Sequence, residues 1–445
     1  MKKALLVCVV IILVMVGCGN NDNNTSNEQD TDVVILTIAS FENNKDLQEQ
    51  VEIFNNTHSN YHIEIKQYSR FEQEYGDGIK RLQREIVSNN GPDLINFGSQ
   101  YSVTDIMGMY TVNLLAYCEE LSSEEDDTYF DNILDAFTYQ DGLYAMPVSF
   151  TLQTFAGRKS VLGTNEYWTV EELNSCYQDE KKKIGSSFML YPGETKKDVF
   201  GSLLVGNIGN FVDWEKGTCS FDDNEFRKII NFADQFPLTL NISEDFSPME
   251  SFANGKALLY PLRISSVYDI CGAEMVLGED AVYIGYPVNG TDGTVIQASD
   301  LMLAISIGSK HKEIVWEFIS QFFTEEYQAS MTEGFPIRRS TLDMQLKQAQ
   351  ILEYTEDTKG NKIPVAKDEI NFEGEKPISI NQITKEQADT ILHIIERASV
   401  GSAYDYSLHS ILLEEIDSYF NGDKSLEEVV KVIQRRAHIY ISELN

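Results

Sequence analysis

The sequence predicts an α/β protein built as two lobes, and three observations carry that prediction. At 445 residues the chain exceeds one ordinary hydrophobic core, so it should divide. Its composition, 42% hydrophobic and 11% aromatic with 22 Tyr and 23 Phe, is that of a folded chain. Its first periodic segments read strand, helix, strand, the opening of an α/β layer.

Residues 33–39 (VVILTIA) are a continuous β-branched and apolar run, as expected of a buried strand. Residues 45–58 place Leu47, Val51 and Phe54 at helical spacing. Residues 61–68 then alternate, with His62, Glu64 and Lys66 on one side and Ile63 and Ile65 on the other. Gly91-Pro92-Asp93 breaks the chain ahead of the apolar stretch 94–97, and Asp141-Gly142 marks a tight turn before 143–147. From 149 to 293 helices and short strands mix, and 220–225 reads as a strand end and helix cap ahead of 226–236. Residues 300–307 read as a strand, and 313–323, with Val315, Phe318, Ile319 and Phe322, as an amphipathic helix. Residues 353–377 are charged and aperiodic and are expected as a long surface loop or insertion. Helices close the chain at 385–397, 407–420 and 425–442, the last opened by a capping box at Ser425-Leu426-Glu427-Glu428. No internal repeat is visible.

The balance of 70 Asp and Glu against 35 Lys and Arg gives a formal charge of −35. A chain so acidic repels phosphate backbones, which argues against general nucleic-acid binding, and it is not drawn to anionic membrane surfaces. The six His are scattered with no pair at metal-ligand spacing, so neither a metal nor a cofactor is expected. Cys118, Cys176, Cys219 and Cys271 form no CxxC pair. An exported location permits up to two disulfides among these four, in three possible connectivities, and free buried thiols are equally compatible.

Residues 1–17 read as a signal peptide: Met1-Lys2-Lys3, then an apolar run at 4–16 too short to span a bilayer. The run ends in Met15-Val16-Gly17-Cys18, which resembles the lipobox of bacterial lipoproteins, with Met where Leu is usual. That resemblance implies cleavage before Cys18 and its lipidation; the alternative is an ordinary secreted chain with an incidental Cys. Cleavage removes Lys2 and Lys3 and leaves 70 acids against 33 bases, a charge of −37. Residues 19–31 (GNNDNNTSNEQDT) hold no apolar residue, so 18–31 reads as a flexible tether.

Five short motifs follow in order behind the lipobox. They are Gly91-Pro92-Asp93-Leu94, Asp141-Gly142-Leu143-Tyr144-Ala145-Met146-Pro147, Phe252-Ala253-Asn254-Gly255-Lys256-Ala257, Gly334-Phe335-Pro336-Ile337-Arg338, and a closing Tyr419, Gly422, Ser425 pattern. Together they resemble the extracellular solute-binding proteins of ABC importers, specifically the maltose-binding-protein-like family (family 1), over nearly all of the mature chain. The resemblance implies a two-lobed periplasmic-binding-protein-like fold (type II) with the ligand gripped in the cleft between lobes. By analogy one lobe would be 32–149 plus 295–335, and the other 150–294 plus 336–445.

Ligands of open α/β sheets bind beyond the carboxyl ends of strands. That rule points to Ser40, Phe41 and Glu42 as hydroxyl, stacking ring and carboxylate, or else as a helix-capping loop. Ser99, Gln100 and Tyr101 fall where the resemblance places ligand contacts, the alternative being loop surface. Phe150 and Gln153 follow the first crossing, where they either meet ligand or pack the hinge. Tyr260 and Arg263 would face the cleft from the second lobe. In a chain with twice as many acids as bases, an internal ion pair suits Arg263 better than an acidic or phosphorylated ligand. Ser299 and Asp300 precede a strand at the second crossing, with Asp300 as a contact or a strand-end cap. Tyr404, Asp405 and Tyr406 lie in a turn (VGSAYDYS) where the resemblance implies an aromatic stacked on a sugar ring. The three Trp are Trp168, Trp214 and Trp316, the last expected in the core, so a sugar platform must be built mostly of Tyr and Phe.

A surface glycosidase would need two placed carboxylates, and 70 acids guarantee accidental pairs. No HExxH, GxSxG or Walker A motif is present, and 206–210 (GNIGN) reads as a turn. An adhesin or sensor on the same fold is the other rival. The expectation is a non-catalytic, lipid-anchored binding subunit of an ABC importer on the outer face of the bacterial cytoplasmic membrane. It would act as a monomer, with a small polar ligand, most simply a sugar, and a membrane permease as partners.

Overall fold

The computed structural model describes residues 33–69, 77–99, 102, 104, 110–121, 129–240, 246–278, 281–370, 377–401 and 405–444. The signal peptide, Cys18 and the tether therefore lie outside the described residues, as do Gln100, Tyr101 and Tyr404.

The chain opens as its periodicity predicts. Strand Val34–Ser40 leads into helix Lys45–Thr57, capped by Asn44 Oδ1, which accepts from the Leu47 amide at 2.8 Å, and strand Tyr61–Gln67 follows. Leu47, Val51 and Phe54 are the helix's buried face. In the first strand Ile35 stays exposed, because strand Leu94–Asn96 joins only from Ile38 onward. The Gly91-Pro92-Asp93 turn is held by its acid: Asp93 accepts from the Thr37 amide at 3.0 Å and from Ser309 Oγ at 2.7 Å. Residues Gln140 and Asp141 both adopt positive φ, 47° and 58°, closing a tight turn in which Tyr139 and Gly142 exchange backbone hydrogen bonds.

Two larger sheets carry the fold. The first runs, in order, Tyr61–Gln67, Val34–Ser40, Leu94–Asn96, Met302–Ile305, Met146–Pro147; the first three are parallel and Met302–Ile305 is antiparallel to both neighbours. The second is organised on the long strand Ser149–Arg158, which pairs antiparallel with Phe335–Pro336, Val295–Ala298, Leu259–Ile264 and Ala281–Ile284. One hydrophobic cluster fills the first sheet and extends to Phe150, Phe335 and Ile391. The other gathers Trp168, Tyr177, Phe200, Phe226 and the closing helices Tyr406–Phe420 and Leu426–Leu444.

Among the described residues the chain passes between the sheets three times: at Pro147–Ser149, at Ala298–Met302, and on the way into Phe335. Gln328, fully buried, ties the first passage to the third. Its amide donates to the carbonyls of Val148 and Phe322, both at 2.9 Å, and its Oε1 accepts from the Ile337 amide at 2.9 Å.

Four expectations are corrected in detail. Strand Val295–Ala298 was expected with the first lobe, but its register places it in the second sheet, beside Phe150–Gln153. Residues 206–210 are not a turn; they lie inside helix Lys196–Phe211, where a Cβ on Gly206 would come within 2.5 Å of Tyr286 Cβ. That glycine permits close approach of the segment after strand Ala281–Ile284. Residues 353–377 are not loop throughout: they hold hairpin Tyr354–Glu356 with Lys362–Pro364, and strand Asp368–Ile370 pairs with Ile378–Ile380. The expected strand at 300–307 is confined to Met302–Ile305. Among the described residues Cys176, Cys219 and Cys271 are free thiols, and Cys118 is buried with its Sγ 3.6 Å from Met146 Sδ. The Ser425–Glu428 capping box forms, with Glu428 Oε2 accepting from the Ser425 amide at 2.9 Å and Ser425 Oγ accepting in return at 3.3 Å. Among the described residues no helix is long and apolar enough to cross a membrane.

Candidate functional site

The three passages and the start of the first helix enclose a cavity of about 360 Å³. Glu42, Asn43, Lys45 and Asp46 come from the loop and helix start after the first strand, Ser149 from the first passage, Asp300 from the second, and Tyr327 and Glu333 from the approach to the third. The volume is within the range of small-molecule sites, and polar groups converge on it from segments far apart in sequence.

Glu42 is fixed in the wall by Ser99, whose amide and hydroxyl donate to its Oε1 at 3.1 and 2.8 Å. Gly98, at φ 71°, makes room: a Cβ there would lie 2.5 Å from the Glu42 carboxyl carbon. Burial raises the Asp300 carboxyl above its ordinary value, and the neighbouring charges of Glu333 and Glu42 push it further. Burial likewise raises the Tyr327 phenol, with Asp46 and Asp300 adding to it. At the floor, Gly334 takes φ 78°, and a side chain on it would meet Ser149 Oγ at 2.9 Å and Ser299 Oγ at 3.0 Å.

The sequence-predicted residues divide. Glu42 and Asp300 line the cavity, and Ser99 supports Glu42. Ser40 is fully buried, donating to the Glu42 carbonyl at 2.7 Å and accepting from Asn96 Nδ2 at 3.2 Å, so it shapes the loop and offers nothing to a ligand. Phe41 is also core, its ring centroid 5.6 Å from Tyr68 and 6.4 Å from Phe97. Phe150, 0% exposed between Phe130 and Phe335, packs the hinge. Gln153 donates to Gln297 Oε1 at 2.8 Å. Tyr260 is half-buried and stacked on Phe252 at 5.3 Å. Arg263 is exposed, with Nη1 3.8 Å from Glu333 Oε1, an ion pair that links the second sheet to the cavity rim.

Asp405 proves more structural than expected. It caps helix Tyr406–Phe420 by accepting from the Leu408 amide at 2.6 Å, and its other oxygen accepts from Thr104 Oγ1 at 2.7 Å and Tyr440 OH at 3.0 Å. It thereby joins the segment after Ser99 to the closing helices. Tyr406, the first residue of that helix, is 43% exposed.

Lys45, Ser149, Tyr327 and Glu333 were missed by sequence reasoning. Glu333 directly precedes the Gly334–Arg338 motif, and Ser149 is the first residue of the long strand, so proximity to the passages was the usable signal. Lys45 and Tyr327 carried none. Chemically, the wall accepts hydrogen bonds at four carboxylates and donates at Lys45.

The sequence profile of a family described as bacterial extracellular solute-binding protein matches residues 49–359. The chain belongs to that family. Among solved structures it is similar to the sugar-binding protein MalE of Xanthomonas citri, at 16% identity and a TM-score of 0.59, covering 92% of this chain and 98% of the other. It is similar to the cyclic α-maltosyl-1,6-maltose-binding protein of Arthrobacter globiformis, at 12% identity and 0.55, covering 92% and 100%. It also resembles a solute-binding protein of Thermotoga lettingae bound with α-D-tagatose, at 12% and 0.52, covering 92% and 100%. These likenesses establish the two-lobed periplasmic-binding-protein fold. No curated protein matches the chain.

Proposed function

We propose that this protein is the lipid-anchored solute-binding subunit of an ABC importer and that it captures a small polar solute of the carbohydrate class by closure of its lobes. The carrying observation is the cavity where three inter-sheet passages meet, in a chain of the solute-binding family. A ligand there touches segments belonging to both sheets, so it stabilises the closed arrangement by contacts the open one lacks, and a permease can distinguish the two by shape. The lobes are taken as 32–148 plus 299–334 and the remainder, with Ser149, Val295–Ala298 and Phe335 given to the second by their pairing. The protein has no catalytic role in this reading, and Cys18 anchors it to the outer face of the membrane.

The test is a thermal-shift screen of soluble protein (residues 32–445) against mono- and oligosaccharides, polyols and amino acids. A ligand at a hundred times its dissociation constant stabilises by about 2.7 kcal/mol. A sugar hit supports the reading; a hit only among amino acids overturns the carbohydrate class. Substituting Cys18→Ala should release the protein from the cell surface, and retention of the variant would contradict the anchor.

A further inference from the structure

The lining of the cavity is unbalanced in charge. Glu42, Asp46, Asp300 and Glu333 face it against Lys45. Arg263 offsets part of Glu333 from 3.8 Å, and the helix beginning at Lys45 adds about half a positive charge at its N-terminus, which still leaves the wall negative by more than one charge. Carboxylates brought together in a partly enclosed space repel one another, and Asp300, disturbed first by burial, also feels the charges of Glu333 and Glu42. A neutral sugar can donate hydroxyls to such a wall, but it leaves the repulsion in place.

The floor supplies a second and independent observation. Ser149 is 5% exposed and lines the cavity, and among the described residues its hydroxyl has no hydrogen-bond partner. Behind it Ser299 Oγ is fully buried and also unpartnered. Both lie against the bare Cα of Gly334, where any side chain would fill the space between them. Ser299 Oγ is the buried, unmet hydroxyl, and Ser149, which opens on the cavity, is the one of the two that a solute can reach.

We propose that the solute carries an ammonium group on a hydroxylated, sugar-like frame, with the ammonium placed among Asp300, Glu333 and Glu42 and a ring hydroxyl completing Ser149. This rests on the reading of the cavity as the solute site and narrows its ligand to cationic amino sugars. An ammonium donates three hydrogen bonds to carboxylates and neutralises the wall as it does so.

The experiment compares melting temperatures and calorimetric titrations of the soluble protein with four probes: glucosamine, N-acetylglucosamine, glucose and putrescine. Glucosamine should bind, with N-acetylglucosamine and glucose at least tenfold weaker. Asp300→Asn and Glu333→Gln should each weaken glucosamine by about tenfold to a hundredfold, the loss of one charge-assisted hydrogen bond. If N-acetylglucosamine or glucose binds as well as glucosamine, the ammonium proposal falls while the carbohydrate reading stands. If putrescine alone binds, the hydroxylated frame is overturned. If all four leave the protein unchanged while another solute class shifts it, both readings fail.

Discussion

Glu194 precedes the helix Lys196–Phe211 and is 3% exposed. One oxygen accepts from the Leu190 amide at 2.7 Å, and the other has no partner among the described residues. Burial raises the carboxyl to about 7, against an ordinary 4.5, and the hydrogen bond from Leu190 and the charge of Lys181 only moderate that rise. A carboxyl raised in the folded state costs no stability where both states are protonated. As pH climbs from about 4.5 to 7 the unfolded chain ionises while the folded one keeps its proton, so stability falls by about 1.4 kcal/mol per pH unit. The full difference corresponds to about 3 kcal/mol, reached above pH 7. Glu194→Gln keeps an oxygen for the Leu190 amide and removes the ionisable group. Urea denaturation of both proteins at pH 5 and pH 8 reads the effect. The variant should lose about 2 kcal/mol less than the parent between these two pH values. Equal losses in the two proteins would refute the reasoning.

Other predictions follow from the same geometry. Burial alone would raise the Glu85 carboxyl, but hydrogen bonds donated by Lys66, Tyr68 and Arg81 outweigh it and hold it at about 2. Its stabilisation is present above pH 4.5 and lost as pH falls toward 2, so Glu85→Gln should flatten the acid limb of the stability curve by about 1–2 kcal/mol after allowing for solvent screening. Asp405→Ala removes a helix cap and leaves the Thr104 and Tyr440 hydroxyls without this acceptor; it should cost about 2–4 kcal/mol in chemical denaturation, and Asp405→Asn, which keeps the cap, distinctly less. Gly334→Ala should lower the melting temperature through a positive φ of 78° and contact with Ser149 and Ser299, by about 1–3 kcal/mol in stability terms.

Much of the scaffold was legible because its determinants are local. The strand, helix, strand opening follows from periodicity, and the Ser425–Glu428 box from residues three apart. The role of Asp93 needed the fold, since its partners are Thr37 and Ser309, but its position in a turn was plain. The site was harder. Phe41 and Phe150 sit where ligand contacts are expected, yet one packs on Phe97 and the other on Phe335, and no local pattern says whether a ring after a strand turns inward. Glu42, Ser149, Asp300 and Glu333 converge from four places along the chain, so their meeting is set by the three passages and not by spacing. Glycines misled in the opposite direction: Gly206 reads as a helix breaker, but the approach of Tyr286 demands a residue without a side chain inside the helix. The paired segments of 353–377 escaped notice because their short strands are largely exposed and so leave no hydrophobic alternation.

The central claim is that a solute binds where the three passages meet. The most direct measurement is calorimetric titration of the soluble protein and of its Glu42→Ala and Asp300→Ala variants with the solute that gives the largest thermal shift. Binding of one solute per chain, weakened at least tenfold by each substitution while the circular dichroism spectrum is unchanged, is the predicted result. Unaltered affinity in both variants would place the site elsewhere and contradict the account.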